Sequence, residues 1–316
     1  GNTVSASVST GEVNKTYALN YTDPYFTDDG VSRSLGAYRK DVNTNDLATA
    51  TYNTYSYGAN IGFGLPLSEY DAIGVHATLD VTDIELGVNA SDEYLDYCKN
   101  ISGSSSVSGC NSDSLTIDSV FQTDTRNSAQ FPTSGYSWKA TGEISMPVFD
   151  MRFYKFVASG ERYFPLSNDL TFKVRGQAGF ADSYGSKKYP FFKNFYMGGP
   201  KNVRGFDQAS IGEKTTNAVT GDLETTGGKK SVFGSAEFFF PPPGLKNVKS
   251  FRLSTFLEGG GVFKNDYEGG EMRYSAGLGA LWLSPFGPLT ISYAKPLNEG
   301  TNDRITTLQF GMGGAF

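Results

Sequence analysis

Two cysteines and one histidine bound the covalent and metal chemistry open to this chain of 316 residues. Cys98 and Cys110 lie close together in a stretch rich in Ser, Gly and Asn. A disulfide closing this small loop would fit an oxidising compartment; two unrelated surface thiols are the alternative. A metal centre needs several Cys, His or carboxylate ligands together, and with His76 as the single histidine none is expected. A nucleophilic triad needs a base, its orienting acid and a hydroxyl. Nothing around His76 completes such a set, so no catalytic residue is assigned, no enzyme is expected and no cofactor is implied. Lys139, Glu143, Lys173 and Arg175 recur at alternate positions and read as the lining of a hydrated interior.

That alternation points to the elements that must carry these side chains. From Tyr136 to Val148 one parity reads Tyr136, Trp138, Ala140, Gly142, Ile144, Met146, Val148, and the other Ser137, Lys139, Thr141, Glu143, Ser145. Leu170 to Ala181 and Ile73 to Thr82 repeat the pattern. A period of two is the signature of a strand with one apolar and one polar face. The strands are longer than the roughly 5–6 residues usual in soluble sheets. No run approaches the roughly 18 apolar residues of a membrane helix, but a membrane strand needs only about 9–11 and keeps one face polar. Composition agrees: aromatics are 14% and Gly numbers 38, a poor mixture for helices. The net charge of −6 speaks against a nucleic-acid partner.

Connections of two kinds alternate along the chain. Short turns, often with proline, fall at Asp23-Pro24-Tyr25, Leu65-Pro66-Leu67, Pro132-Thr133-Ser134-Gly135, Pro165-Leu166-Ser167-Asn168, Pro241-Pro242-Pro243-Gly244 and Ser284-Pro285-Phe286-Gly287. Longer ones cover 88–114, with both cysteines, and 207–230. Fourteen strands are predicted, near 3–10, 14–22, 31–42, 49–64, 71–87, 114–124, 135–148, 152–164, 169–182, 231–240, 249–263, 271–283, 287–297 and 304–316. The fold expected is all-β: one transmembrane antiparallel β-barrel over residues 1–316, integral to a bacterial outer membrane, with both termini periplasmic. No helical domain is predicted. The opening Gly1-Asn2 carries no secretory signal and is read as the start of a mature fragment.

The chain closes on Leu308-Gln309-Phe310-Gly311-Met312-Gly313-Gly314-Ala315-Phe316, which resembles the C-terminal β-signal of outer-membrane proteins; Gln309, Phe310, Gly311, Gly314 and Phe316 are its candidate residues. Val203-Arg204-Gly205-Phe206 resembles the VRGF/Y motif of the BamA/TamA/two-partner-secretion superfamily. Phe191-Phe192-Lys193-Asn194-Phe195-Tyr196-Met197-Gly198-Gly199, Arg273-Tyr274-Ser275-Ala276-Gly277, Leu281-Trp282-Leu283-Ser284-Pro285-Phe286-Gly287-Pro288-Leu289, Asp23-Pro24-Tyr25-Phe26 and Gly62-Phe63-Gly64-Leu65-Pro66 extend the likeness to the BamA branch over nearly the whole chain.

The resemblance implies insertion and folding of β-barrel proteins into the outer membrane, with a TamA-like or two-partner-secretion pore, or a passive porin, as alternatives. It implies that the loop bearing Val203, Arg204, Gly205 and Phe206 folds into the lumen, where Arg204 meets acidic residues of the inner wall. Glu237 and Glu258 lie on the polar parity of their strands and are the expected partners. Gly259-Gly260-Gly261 would give either room for that loop or a bend in the barrel. Implied partners are unfolded outer-membrane proteins, Bam lipoproteins through periplasmic domains, and outer-membrane lipid and lipopolysaccharide. The family barrel has sixteen strands against the fourteen predicted, so the first two strands and the periplasmic POTRA domains are expected to be absent. The seam between first and last strands would then keep only its C-terminal half, and the chain alone is not expected to assemble substrates.

Overall fold

The computed structural model describes residues 1–316 apart from 12, 45–46, 48, 50, 88–89, 104–107, 217–220, 222, 245–249, 265–271, 286 and 313–316. One antiparallel sheet of 14 strands runs in chain order, each strand paired with the next. Its strands are β1 (Thr3–Thr10), β2 (Asn14–Asp23), β3 (Ser32–Asn43), β4 (Tyr52–Pro66), β5 (Asp71–Leu86), β6 (Gly109–Asp124), β7 (Gly135–Ser145), β8 (Phe153–Pro165), β9 (Thr171–Ser183), β10 (Lys230–Phe240), β11 (Phe251–Phe263), β12 (Arg273–Ser284), β13 (Gly287–Pro296) and β14 (Leu308–Met312). The sheet curls around a lumen: Arg252 on β11 donates to the carbonyls of Phe131 and Pro132, in the connection between β6 and β7.

Side-chain alternation sorts residues onto two faces. On β5, Ile73, Val75, Leu79 and Val81 lie exposed on the outer face, while His76 points inward and its Nδ1 meets Asp118 of β6 at 3.0 Å. Tyr136, Trp138 and Ile144 of β7 and Leu257, Leu278 and Ile291 further on continue the exposed apolar belt. Water would penalise so large a contiguous apolar surface; hydrocarbon does not, and the strand-to-strand ladder satisfies the backbone of each inner strand there. A slip of one residue would turn each strand's apolar set inward, so the two solvents fix the register.

The connections 67–70, 125–134 and 166–170 lie at the end of the sheet where β1 begins, and 87–108 and 184–229 lie at the other, together with the short connection 146–152. Several predicted boundaries shift. The connection 87–108 contains a helix, α1 (Asp92–Ser102), where none was predicted. Asp92 and Glu93 occupy its first turn, Lys99 its last, and Gly103 closes it at φ 68° with its N–H on the Lys99 carbonyl, as helix-end electrostatics and the left-handed cap require. β6 begins at Gly109 instead of 114, because Cys110 pairs in register with Ile84. β7 stops at Ser145, whose hydroxyl bridges the Phe153 amide and carbonyl and turns the chain before Met146 and Val148. The last segment, predicted as one strand over 304–316, is divided: Ile305–Thr306 leaves the sheet and β14 starts at Leu308. Gly314 and Phe316 lie outside the described residues.

The lumen is not simply hydrated. Met151, Phe153, Tyr189, Phe195, Met197, Val203, Phe206, Ile211, Phe233 and Val262 form a buried apolar cluster inside the barrel. More than half of it comes from the connection 184–229 folded inward, so a loop supplies the core that a wide barrel's own wall cannot. Gly260 separates the two readings of the glycine run: a β-carbon there would collide with the Met197 sulfur and crowd Val203, so its missing side chain is the loop's seat.

Candidate functional site

The inserted loop is shaped by backbone that ordinary residues avoid. Gly198 and Gly199 have φ 105° and 102°, Val203 φ 52° and Gly205 φ 96°. A β-branched residue at positive φ costs about 1–3 kcal/mol, and Val203 is held there fully buried among the lumen's apolar side chains. Between Val203 and Gly205, Arg204 is aimed at the wall formed by β10 and β11.

The Arg204 backbone N–H donates to Glu258 Oε2 at 2.8 Å. Its Nε and Nη2 donate to Glu258 Oε1 at 3.0 and 2.7 Å, so both guanidinium bonds to Glu258 converge on one oxygen and the amide takes the other. Nη1 donates to Glu237 Oε1 at 3.2 Å, and that oxygen also accepts from the Ser254 hydroxyl at 2.7 Å. The guanidinium carbon sits 3.4 Å from the centre of the Phe256 ring, a cation–π contact in a water-poor site. Burial alone would lower the Arg204 pKa, but the charges and hydrogen bonds of Glu237 and Glu258 raise it above its ordinary value. The cation is thereby fixed, and the arrangement is a lock. Arg175 and Lys173 project nearby; Lys173 pairs with Glu161 at 3.0 Å, and Arg175 donates to the Lys201 carbonyl at 3.2 Å. Glu143 receives Lys193 of the loop at 2.7 Å. A cavity of ≈ 200 Å³ beside Arg204 is lined by Arg126, Lys173, Arg175, Lys201 and Arg252.

The other side of the motif holds the end of the chain. Gly205 N–H donates to Gln309 Oε1 at 3.2 Å, and Gln309 Nε2 donates to the Phe206 carbonyl at 2.7 Å. Gly205–Phe206 pairs antiparallel with Ile305–Thr306. Gln309 is buried, Phe310 is exposed on the apolar belt, and Gly311 pairs with Thr290. Gly205 must be glycine on two counts, its φ of 96° and the approach of Ala294, 3.1 Å from where a β-carbon would stand. Gly205→Ala is expected to weaken loop docking by about 1–3 kcal/mol, read as faster amide exchange at residues 203–206.

Two further features escaped the sequence reading. Asp303 binds Arg273 Nε at 2.5 Å, Lys214 at 3.0 Å and the Gly300 amide at 2.7 Å, tying the inserted loop to the segment before β14. Burial acts to raise the Asp303 pKa, and these donors more than reverse it, leaving the carboxyl below its usual range. A depressed pKa gives stability that is present above the ordinary carboxylate range and lost as pH falls from there through the depressed value. The tie is therefore expected to hold at neutral pH and loosen in acid, and exchange at Lys214–Thr216 measured against pH would show it. The second feature is a lid, of which the sequence suggested only the disulfide, and that pairing is present. Cys98 on α1 is bonded to Cys110 on β6, and Tyr94 stacks on Phe191 of the inserted loop with ring centres 3.9 Å apart. Tyr52, Tyr97 and Phe192 complete an aromatic cap over the loop end of the lumen.

A family model described as the Omp85 superfamily domain matches residues 1–316. The outer membrane protein assembly factor BamA of Neisseria meningitidis serogroup B is 33% identical over 329 residues, which takes in 95% of this chain and 41% of that protein. The chain thus spans less than half the length of this relative. The crystal structure of BamA from Haemophilus ducreyi lacking POTRA domains 1–3 superposes with a TM-score of 0.90 at 26% identity, covering 98% of this chain and 64% of that one. CdiB from Acinetobacter baumannii shares the fold at a TM-score of 0.57 and 14% identity, covering 98% of this chain and 52% of that one.

Proposed function

This chain belongs to the Omp85 superfamily, and from that membership we propose that it inserts and folds β-barrel proteins into the bacterial outer membrane. The observation that carries the reading is the inserted loop, which seats Arg204 on Glu237 and Glu258 inside the barrel of a chain that the family model matches over residues 1–316. Among the described residues the last strand, β14, is held to β13 from Tyr293↔Leu308 to Leu289↔Met312. A last strand that offers its outer N–H and C=O groups is a template for another strand, and in a bilayer such an edge is costly unless a strand arrives to cover it. A passive porin needs an open lumen; here the inserted loop and the aromatic cap fill it.

Incoming substrates on this reading are unfolded outer-membrane proteins, with lipoprotein partners engaged through periplasmic domains, lipid at the apolar belt, and both termini of the sheet facing the periplasm. Two further strands and POTRA domains before Gly1 would supply the other half of the seam. The test therefore has two arms. Liposomes carrying this chain alone, or this chain extended by such a segment, receive a urea-unfolded barrel protein, and folding is followed by heat-modifiable mobility on gels. The extended chain should speed folding about tenfold or more and the chain alone should not. The folding rate of protein-free liposomes in both arms would sink the proposal.

A further inference from the structure

The tetrapeptide 203–206 grips two walls of the barrel at once. Arg204 sends its side chain to Glu237 on β10 and Glu258 on β11. The next two residues give their backbone to the chain's end, through Gln309 and the pairing with Ile305–Thr306. We propose that Gln309 is a positioning residue that sets the register of the last strand from the inserted loop.

Three observations carry this. First, β13 alone specifies the register of β14 weakly: Leu308-Gln309-Phe310-Gly311-Met312 is part of a glycine-bearing segment, glycine-rich strands are the ones that slip, and among the described residues β14 has no second strand beside it. Second, the chain leaves the ladder to β13 just before Thr307, whose carbonyl makes its last bond. Ile305 and Thr306 pair with Phe206 and Gly205, the Asp207 N–H donates to the Arg304 carbonyl at 2.9 Å, and the Ala294 N–H donates to the Thr307 carbonyl at 2.8 Å. The strand is handed from loop to sheet within two residues. Third, the Gln309 amide both accepts from the Gly205 N–H and donates to the Phe206 carbonyl. Among side chains, only an amide offers an acceptor and a donor in this fork. A slip of two residues would keep Phe310's parity facing lipid, so the outer face cannot forbid it; it would carry Gln309 away from the loop, take the side-chain acceptor from the buried Gly205 N–H and leave the Phe206 carbonyl with the Gly199 N–H alone, which disfavours it.

The consequence at the seam rests on the function proposed above, but the coupling itself does not. The test therefore reads structure, not assembly. The protein is extracted from its membrane in detergent, and its heat-modifiable fold is verified. Amide exchange is followed at residues 308–312, and register is trapped by cysteine pairs. Ile291→Cys with Phe310→Cys reports the native register, and Ile291→Cys with Leu308→Cys a slip of two. Gln309→Leu should raise exchange at 308–312 by about tenfold, the loss of two hydrogen bonds of ordinary worth, and should yield the slipped cross-link. Arg204→Ala should raise exchange at the same amides although Arg204 touches none of them. If Gln309→Leu does not fold, Gln309→Glu, which keeps the acceptor and loses the donor, is read by the same criteria. Parental exchange and register in the Gln309 variant, or an Arg204→Ala protein whose loop has undocked while 308–312 stays protected, would overturn the coupling. Either result leaves the liposome assay to judge the assembly function separately.

Discussion

Arg204→Ala releases the inserted loop from the barrel wall by about 3–5 kcal/mol, the cost of stranding buried charge when one member of an ion pair is removed. The figure sits at that level because two carboxylates are stranded, and Glu237 and Glu258 are both buried. The Phe256 ring loses its cation at the same time. The partners should not weigh equally. Glu258 takes three of the four hydrogen bonds from Arg204, and Glu237 takes one and keeps Ser254. Glu258→Gln should therefore undock the loop much more than Glu237→Gln. Arg204→Lys should fall near the alanine variant, since an ammonium cannot address both walls as a planar guanidinium does. Limited proteolysis within 184–229 measures it: the parent resists, and Arg204→Ala is cut about a hundredfold faster. A resistant Arg204→Ala protein would mean that the apolar cluster alone seats the loop.

Removing the disulfide, by reduction or by Cys98→Ser with Cys110→Ser, should cost about 3 kcal/mol at the loop end, the chain-entropy value for so short a closed loop. The sequence separation is 12 residues. The loss should be local. Tyr97 still bonds Ser112 at 2.8 Å, Lys188 still meets Asp96 at 2.9 Å and Lys264 meets Glu93 at 2.9 Å, so α1 loosens before the wall beneath it does. Exchange at Asp92–Ser102 should rise strongly while residues 203–206 stay protected. Equal loosening of both regions would show that cap and lock are one cooperative unit.

The strands were readable because a barrel wall stands between two solvents, and period two records that directly in residues such as Ile73, Val75, Leu79 and Val81. The same parity put Glu237 and Glu258 on the inner face. Parity gives a face and not a height, so it could not say that Glu258 meets the Arg204 amide as well as its guanidinium. The helix was legible but unread. Tyr94, Tyr97, Cys98 and Ile101 stand at i, i+3, i+4 and i+7, with Gly103 as its stop, yet the Ser- and Gly-rich surroundings suggested a loop. Phe233, Phe256 and Val262 occupy polar-parity positions, a signal that something apolar lies inside. The pairing of Gly205–Phe206 with Ile305–Thr306 had no local trace, because its partners lie about a hundred residues apart and meet only through the whole curl of the sheet.

The aromatic cap also has two supports of different kinds. Both ends of the inserted loop leave from the rim that α1 covers. Phe191 and Phe192, on the loop, are the surface on which Tyr94 and Tyr97 rest. The bond from Cys98 to Cys110 holds α1 to β6. The doorway is thus hinged on the wall and latched on the loop, so a change in the loop's seat would be felt at the rim.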